Sequence, residues 1–181
     1  NEMTFPCHVF NPAAAPTPLH WNWITLSGRD SHDFQHRLTT VHVKALGLGE
    51  GARGCFLTPQ GKIRSLFTLW NFAPDDYAFE FEAGIESRWK RELLATIDQY
   101  TFAEKITLTD VAALECRWIF GEPGASEGLL LKALGAPELK PHQTLAIDDE
   151  IRLCHQGTQA YGRPWITAWG RPARLEQWLE R

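Results

Sequence analysis

The sequence of 181 residues lacks the features that would place it in a membrane or on nucleic acid. No apolar run approaches the ~20 residues needed to span a bilayer. The 18 basic and 22 acidic residues are scattered, give a net charge of −4 and form no block of like charge. The first residues also lack the basic and apolar regions of a signal peptide. We therefore expect a cytosolic protein that binds neither membranes nor nucleic acid directly.

Cysteine is sparse and provides no disulfide or metal framework. No C-x-x-C pair occurs, and the four cysteines are spread along the chain: Cys7, Cys55, Cys116 and Cys154. Cys7-His8 and Cys154-His155 offer metal ligands, but adjacent residues in a strand point to opposite faces. Free buried thiols are therefore the expectation, and no metal is predicted. The nucleophile motif G-x-S-x-G is also absent.

Apolar and aromatic residues are abundant, with 44% hydrophobic residues and eight Trp. This composition predicts a sizeable core and rigid rings that are either buried or used to hold a flat ligand. Four prolines within residues 1–18 predict an extended N-terminal arm that pairs little with any sheet.

Hydrophobic periodicity predicts two modules after this arm, at residues 19–110 and 111–181. Predicted strands cover 21–26, 55–57, 63–72, 77–81, 105–109, 114–120, 144–147, 151–155 and 165–168, and predicted helices cover 30–38, 86–100, 126–134 and 172–179. Glycines at 47, 49, 51 and 54 are predicted to break the chain before the first hairpin. The predicted fold class is α+β, with two packed ferredoxin-like modules and mostly antiparallel sheets.

The segment Gly49-Glu50-Gly51-Ala52-Arg53-Gly54 matches the letters of the dinucleotide-binding motif G-x-G-x-x-G. That motif follows a strand and opens a helix, whereas these glycines follow a helical stretch and precede a strand. A flexible turn is the prediction, with nucleotide binding as the alternative.

His32 and His36 are spaced i and i+4 on a predicted helix, as in the zinc motif H-E-x-x-H, with Asp33 in place of Glu. Asp is a shorter general base than this motif needs, and no obvious third ligand follows. A solvated polar helix face is predicted, with a metal site as the alternative.

Lys62 and Arg64 lie on one side of the strand that follows the turn Thr58-Pro59-Gln60-Gly61. Two neighbouring cations can bind a carboxylate. From spacing alone, a solvent-facing strand edge with a basic stripe is the prediction, and carboxylate binding is the alternative.

Four segments carry a resemblance to a known family: Trp23-Ile24-Thr25-Leu26-Ser27-Gly28-Arg29-Asp30-Ser31, Phe34 with Leu38-Thr39, Gln60-Gly61-Lys62-Ile63, and Asp75-Asp76-Tyr77-Ala78-Phe79. Their order and spacing are similar to the N-terminal part of the YgfZ and glycine-cleavage T-protein superfamily. The resemblance covers residues 21–121, and beyond Gly121 it is one of element pattern only. It implies modules arranged around a central hole that binds tetrahydrofolate, without the C-terminal barrel of that family.

The resemblance also identifies departures from the family pattern. Ser65 occupies the place of a T-protein carboxylate that positions the aminomethyl group, and a hydroxyl cannot supply that charge. Tyr77 matches a folate-contacting tyrosine, whereas Phe81 replaces an expected asparagine. The stretch 38–43 lacks the family's Asn-Asp, and no cysteine here has the setting of the YgfZ cysteine motif.

These features together imply a tetrahydrofolate-binding accessory protein resembling YgfZ, which supports iron-sulfur cluster assembly or repair and tRNA modification. Its expected partners are a folate-type small molecule and iron-sulfur assembly proteins. The folate rings are expected to stack on Tyr77 or Trp70, with Lys62 or Arg64 at the glutamate tail and Gln60 beside them. Two alternatives stay open: a one-carbon transferase of the T-protein type, and a protein-interaction module without a ligand.

Overall fold

The structure is a computed structural model and describes residues 7–11, 20–83, 88–111, 113–121, 126–157 and 162–180. Within these ranges the elements, in chain order, are β1 (Cys7–Phe10), β2 (His20–Ser27), α1 (Ser31–Leu38), the 3-10 turn Val43–Ala45, β3 (Gly51–Leu57), β4 (Ile63–Ala73), β5 (Asp76–Ala83), α2 (Arg88–Tyr100), β6 (Thr107–Asp110), β7 (Glu115–Gly121), α3 (Glu127–Ala133), β8 (Thr144–Ala146), β9 (Ile151–His155), β10 (Trp165–Gly170) and α4 (Pro172–Leu179). No helix in the described ranges is long and apolar enough to cross a membrane.

The chain divides into two compact units, a first unit of residues 13–112 and a second unit of residues 1–12 with 113–181. Each unit contains a five-stranded sheet, and the described strand pairs in both sheets are antiparallel. The α+β class with antiparallel sheets that the sequence predicts is confirmed.

The sheet of the first unit has the strand order β3-β4-β5-β2-β6. Phe79 on β5 pairs with Leu69 on β4 and with Ile24 on β2, so the three side chains share one face. Phe34 of α1 and Leu93 of α2 pack against that face and are buried with it. The apolar core of this unit therefore lies between the sheet and its two helices.

The sheet of the second unit has the order β1-β7-β10-β9-β8. Ile166 on β10 pairs with Ile119 on β7, and both side chains are fully buried. Leu130 of α3 and Leu175 of α4 belong to the same buried cluster. Helix α4 begins at Pro172, where proline's fixed φ suits the first helical position.

The N-terminal segment, which its prolines predict to be an extended arm, contributes one short strand. Residues Cys7–Phe10 form β1, an edge strand of the second unit, and pair with β7. This stretch contains no proline, so each of its amides can donate to a strand ladder. The rest of the predicted arm, apart from Asn11, lies outside the described residues.

The glycines before the first hairpin also differ from expectation, because Gly51 and Gly54 lie inside β3. A Cβ added to Gly51 would lie 2.2 Å from the Trp70 ring, and one on Gly54 would lie 2.4 Å from Val41. Close packing, and not a turn, requires glycine at both positions. The prediction of a flexible turn is wrong from Gly51 onward, and the next element is strand β4 instead of a phosphate-binding helix.

Candidate ligand-binding site

The turn between β3 and β4 carries two of the predicted ligand contacts, Gln60 and Lys62. Gly61 has a φ of +79°, and its N–H donates to the Thr58 carbonyl oxygen at 2.8 Å. The Thr58 hydroxyl oxygen accepts the N–H of Lys62 at 3.1 Å. Both Gln60 and Lys62 are exposed. This hydrogen-bonded turn therefore presents an amide and an ammonium group to solvent.

Arg64, the second predicted cation, is already engaged by helix α2. Its Nε donates to Glu92 Oε2 at 3.3 Å, and its Nη1 donates to Gln99 Oε1 at 3.0 Å. The side chain is 21% exposed. Arg64 thus joins β4 to α2, which matches neither a free carboxylate-binding group nor a solvent-facing stripe.

Tyr77 lies in the core of the first unit and is 1% exposed. Its hydroxyl lies 2.6 Å from Nδ1 of His32 on α1. Burial, followed by the nearby Asp75, raises the pKa of the Tyr77 phenol, so the hydroxyl stays protonated in this contact with the imidazole. The structure therefore places the ring of Tyr77, which was expected to stack on a ligand, within the core.

Trp70 is fully buried, and its Nε1–H donates to Glu80 Oε2 at 2.7 Å. Its ring packs on Gly51 of the neighbouring strand. The structure therefore places Trp70, the other residue expected to stack on a ligand, in a buried position as well. The ring is packed against the neighbouring strand β3 and is not open to a flat ligand.

The structure does not bring the five predicted contacts together. Arg64 and Trp70 lie six residues apart on β4, which is about 20 Å at roughly 3.3 Å per residue. Tyr77 pairs with Asn71, the residue after Trp70, so the Tyr77 and Trp70 rings lie on opposite faces of the sheet. Only Gln60 and Lys62 are neighbours with exposed side chains.

Ser65 lies opposite Phe56 in the sheet and is fully buried. Among the described residues its Oγ has no hydrogen-bond partner. A neutral hydroxyl in this setting supplies neither a negative charge nor a general base. Ser65 therefore cannot hold a cationic group in place in the way that a carboxylate would.

The helical histidines separate into two different environments. His32 is hydrogen-bonded to Tyr77, whereas the His36 ring lies 5.3 Å from the ring of His42. Burial, followed by the charges of Lys44 and His42, lowers the pKa of His36. No group of three potential ligands in the described part of the chain can hold a metal ion.

The cysteines follow the expectation of free thiols where they are described. Cys116 and Cys154 are buried, Cys55 is half-buried, and none of these three thiols forms a disulfide. Cys154 pairs with Thr167 and His155 with Ile166, so these adjacent side chains point to opposite faces of the sheet. The side chain of Cys7 lies outside the described part of the chain.

Glu80 is a buried charged residue that the sequence pattern did not identify. It lies between the inward-facing Phe79 and Phe81, on the opposite face of β5. In the structure it is fully buried, opposite Trp23 and bonded to Trp70. The sequence signal that could have identified this burial is the pair Trp23 and Trp70, which alternation places on the same face as Glu80 in the two neighbouring strands. These tryptophans make that face of the sheet aromatic.

Comparison with known proteins identifies a structural relative and no sequence relative. No protein-family model and no curated protein matches the sequence. In contrast, 34 chains of solved structures match the fold. One is the glycine cleavage system aminomethyltransferase T from Bartonella henselae, with a TM-score of 0.75 and 14% identity over 96% of this chain. This likeness shows the fold.

The matched region is only part of that enzyme. The chain spans 45% of the length of the aminomethyltransferase T structure. The two antiparallel sheets and their helices therefore correspond to one portion of a larger protein. The fold expected from the sequence resemblance is confirmed, and the activity of the larger protein does not transfer with it.

Proposed function

We propose that this chain binds tetrahydrofolate or a chemically similar ligand and does not itself transfer the aminomethyl group. The observation that carries the proposal is the fold, which matches aminomethyltransferase T over 96% of this chain. The sequence segments that resemble the T-protein superfamily support it independently. The ligand would combine a flat heterocycle with an anionic tail.

Lys62 is the residue that we assign to the ligand's glutamate tail. Its ammonium group is exposed on a turn that is fixed by Thr58 and Gly61, so little order is lost when it binds a carboxylate. Gln60 adds an amide on the same turn. Arg64 would have to leave Glu92 to take part, so we assign it a supporting role within β4 and α2.

Ser65 is the reason why we propose ligand binding without transfer of the aminomethyl group. Aminomethyl transfer passes through a cationic carrier, which a nearby carboxylate stabilises and a neutral hydroxyl does not. The buried Ser65 provides no such charge. The alternative of a one-carbon transferase would therefore require its carboxylate from elsewhere.

The cellular role that we propose is that of a YgfZ-type accessory protein in the cytosol. Such a protein would support iron-sulfur cluster assembly or repair, and through it tRNA modification, by contact with assembly proteins. The support for this finer assignment is the sequence resemblance alone. Direct contact with nucleic acid or membranes is not part of the proposal.

Thermal and chemical unfolding with tetrahydrofolate test the proposed ligand. A ligand at ~100 times its dissociation constant should stabilise the native state by about 2.7 kcal/mol. Lys62→Ala should weaken binding by about tenfold, as expected for one charge-assisted hydrogen bond. Lys44→Ala is the matched control, because Lys44 is exposed on a different turn of the same unit.

A protein-interaction module without a ligand is the second candidate function. The burial of Tyr77 and Trp70 and the engagement of Arg64 favour it, since these contacts remove three of the expected ligand groups. Unfolding that saturating tetrahydrofolate leaves unchanged would select this candidate. A shift that Lys62→Ala and Lys44→Ala reduce equally would keep ligand binding but reject Lys62 as the tail contact.

A further inference from the structure

Three aliphatic side chains form an exposed apolar strip on the hairpin of β3 and β4. Leu57, Ile63 and Leu66, here called the hairpin strip, are 40%, 49% and 48% exposed. Leu57 pairs with Ile63, and Cys55, two residues earlier on β3, pairs with Leu66. The register shifts between these pairs, so Ile63 and Leu66 share a face although they are three residues apart. Arg64, the extra residue of this bulge, reaches α2 on the other face.

The outer edge of β3 beside the hairpin strip is already occupied by the segment after α1. The Thr40 N–H donates to the Cys55 carbonyl oxygen at 3.1 Å, and the Cys55 N–H donates to the Thr40 hydroxyl oxygen at 3.0 Å. Thr39 forms an antiparallel bridge with Phe56. A partner therefore cannot extend the sheet at this point by adding a strand, and it must lie across the exposed face instead.

Cations border the hairpin strip at both ends. Residues 51–74 contain Arg53, Lys62 and Arg64 and no Asp or Glu, although the whole chain carries a net charge of −4. Arg64 is paired with Glu92. Arg53 and Lys62 are exposed, and neither forms an ion pair among the described residues. Alternation along β3 places Arg53 on the face of the strip, and Lys62 immediately precedes the strip on β4.

We propose that the hairpin strip binds a segment of a partner protein in which acidic residues flank apolar ones. Five residues of an extended segment span about 13 Å, which is also the length of β3 from Arg53 to Leu57. The apolar side chains of the segment cover the strip, and its carboxylates meet Arg53 and Lys62. Folate binding is not required, since the strip and Arg53 are not among the assigned ligand contacts.

The charge of the surface favours this occupant over three others. A second copy placed face to face would bring the same cations together, and like charges repel. An anionic membrane or a nucleic acid extends beyond the strip and meets the rest of a chain whose net charge is −4. A short acidic segment senses only nearby charges, because salt screens exposed charges beyond about 8 Å. Three side chains form a small interface, so the contact is weak and transient.

Selection from a display library of random peptides of about ten residues, with the full chain as the target, tests the proposal. Peptides with Asp or Glu on both sides of apolar residues should be enriched and should bind with dissociation constants of about 1 µM to 1 mM in fluorescence polarisation. The double variant Leu57→Ser with Leu66→Ser should weaken this binding at least tenfold, because it removes the apolar contacts. Arg53→Glu should weaken it at least tenfold and make it less sensitive to salt.

Two matched controls separate the strip from general effects of polarity and charge. Leu48→Ser changes another exposed apolar side chain of the first unit, in the loop before β3. Lys140→Glu changes the net charge as Arg53→Glu does, at an exposed position of the second unit. Both should bind the enriched peptides like the wild type. Far-UV circular dichroism confirms that each variant is folded.

Three results would overturn the proposal. One is a selection that enriches no peptide, or enriches peptides without acidic residues. Another is weakening of the enriched peptides by the control variants to the same extent as by the strip variants. The third is binding of the wild-type chain to vesicles that contain phosphatidylserine, if Arg53→Glu abolishes it, because the surface would then belong to a membrane contact.

Discussion

The Tyr77 hydroxyl and Nδ1 of His32 lie 2.6 Å apart and join strand β5 to helix α1. The phenol is buried, whereas the imidazole is half-buried. The buried Tyr77 hydroxyl therefore has a hydrogen-bond partner, the His32 imidazole, at the edge of the core. Tyr77 is thus a packing residue, and its hydrogen bond to His32 links strand β5 to helix α1.

Tyr77→Phe should lower the free energy of unfolding by about 1 kcal/mol, because it removes this bond and keeps the ring. Urea unfolding measures the change. Tyr100→Phe is the control, since Tyr100 is half-buried against the same core and water can reach it. Equal stability of wild type and Tyr77→Phe would show that the hydrogen bond contributes nothing net.

Gly51→Ala should destabilise the first unit by about 1–3 kcal/mol, because the new Cβ overlaps a ring that cannot withdraw. The Cβ would lie 2.2 Å from Trp70, which Glu80 holds by a hydrogen bond. Gly128→Ala is the control of opposite sign. A Cβ there meets nothing within 4 Å in α3, so helix propensity should stabilise it by up to about 1 kcal/mol. Urea unfolding of both variants decides between packing and turn flexibility at Gly51.

The elements could be predicted wherever periodicity and end signals agree. Helix α4 occupies residues 172–179 as predicted, because Pro172 marks its start and apolar spacing continues to its end. Strand β9 likewise matches residues 151–155. Strand β3 was predicted too short, because Gly51 and Gly54 are needed for close packing and resemble turn residues in sequence.

The site could not be predicted in the same way, because its contacts join residues distant in sequence. Tyr77 and His32 are 45 residues apart, and Arg64 and Glu92 are 28 apart. Alternation predicts which face a strand residue occupies, but not what covers that face. For that reason Trp70 was predicted as a ligand contact and is buried instead.

His155 predicts a loss of stability in mild acid. It is fully buried, its Nδ1 accepts the Gly157 N–H at 3.0 Å, and its Nε2 donates to Glu127 at 3.1 Å. Burial lowers the pKa of His155 below 6.5, against the opposing effect of Glu127, and His142 lowers it further. The unfolded chain therefore binds the proton more readily than the folded one. The contribution of neutral His155 to the free energy of unfolding is complete above about pH 6.5. It decreases as the pH falls toward the pKa of His155 in the folded chain.

His155→Gln removes this titration and retains an amide that can donate to Glu127. Urea unfolding between about pH 5 and pH 8 should show a smaller decrease toward acid in His155→Gln than in the wild type. Parallel curves for wild type and His155→Gln would assign the acid loss to other groups.

Ser65 tests whether this fold position can hold a carboxylate at all. Its hydroxyl is buried and has no partner among the described residues, so Ser65→Ala should change stability by less than about 1 kcal/mol. Ser65→Asp should destabilise by about 3–5 kcal/mol at neutral pH, because it buries an uncompensated charge. Ser65→Asn has nearly the same size without the charge and separates crowding from electrostatics. The difference between Asp and Asn should shrink in acid, where the carboxyl is protonated. If Ser65→Asp and Ser65→Asn are equally stable at neutral pH, the buried position accepts a charge, and its neutrality no longer separates binding from transfer.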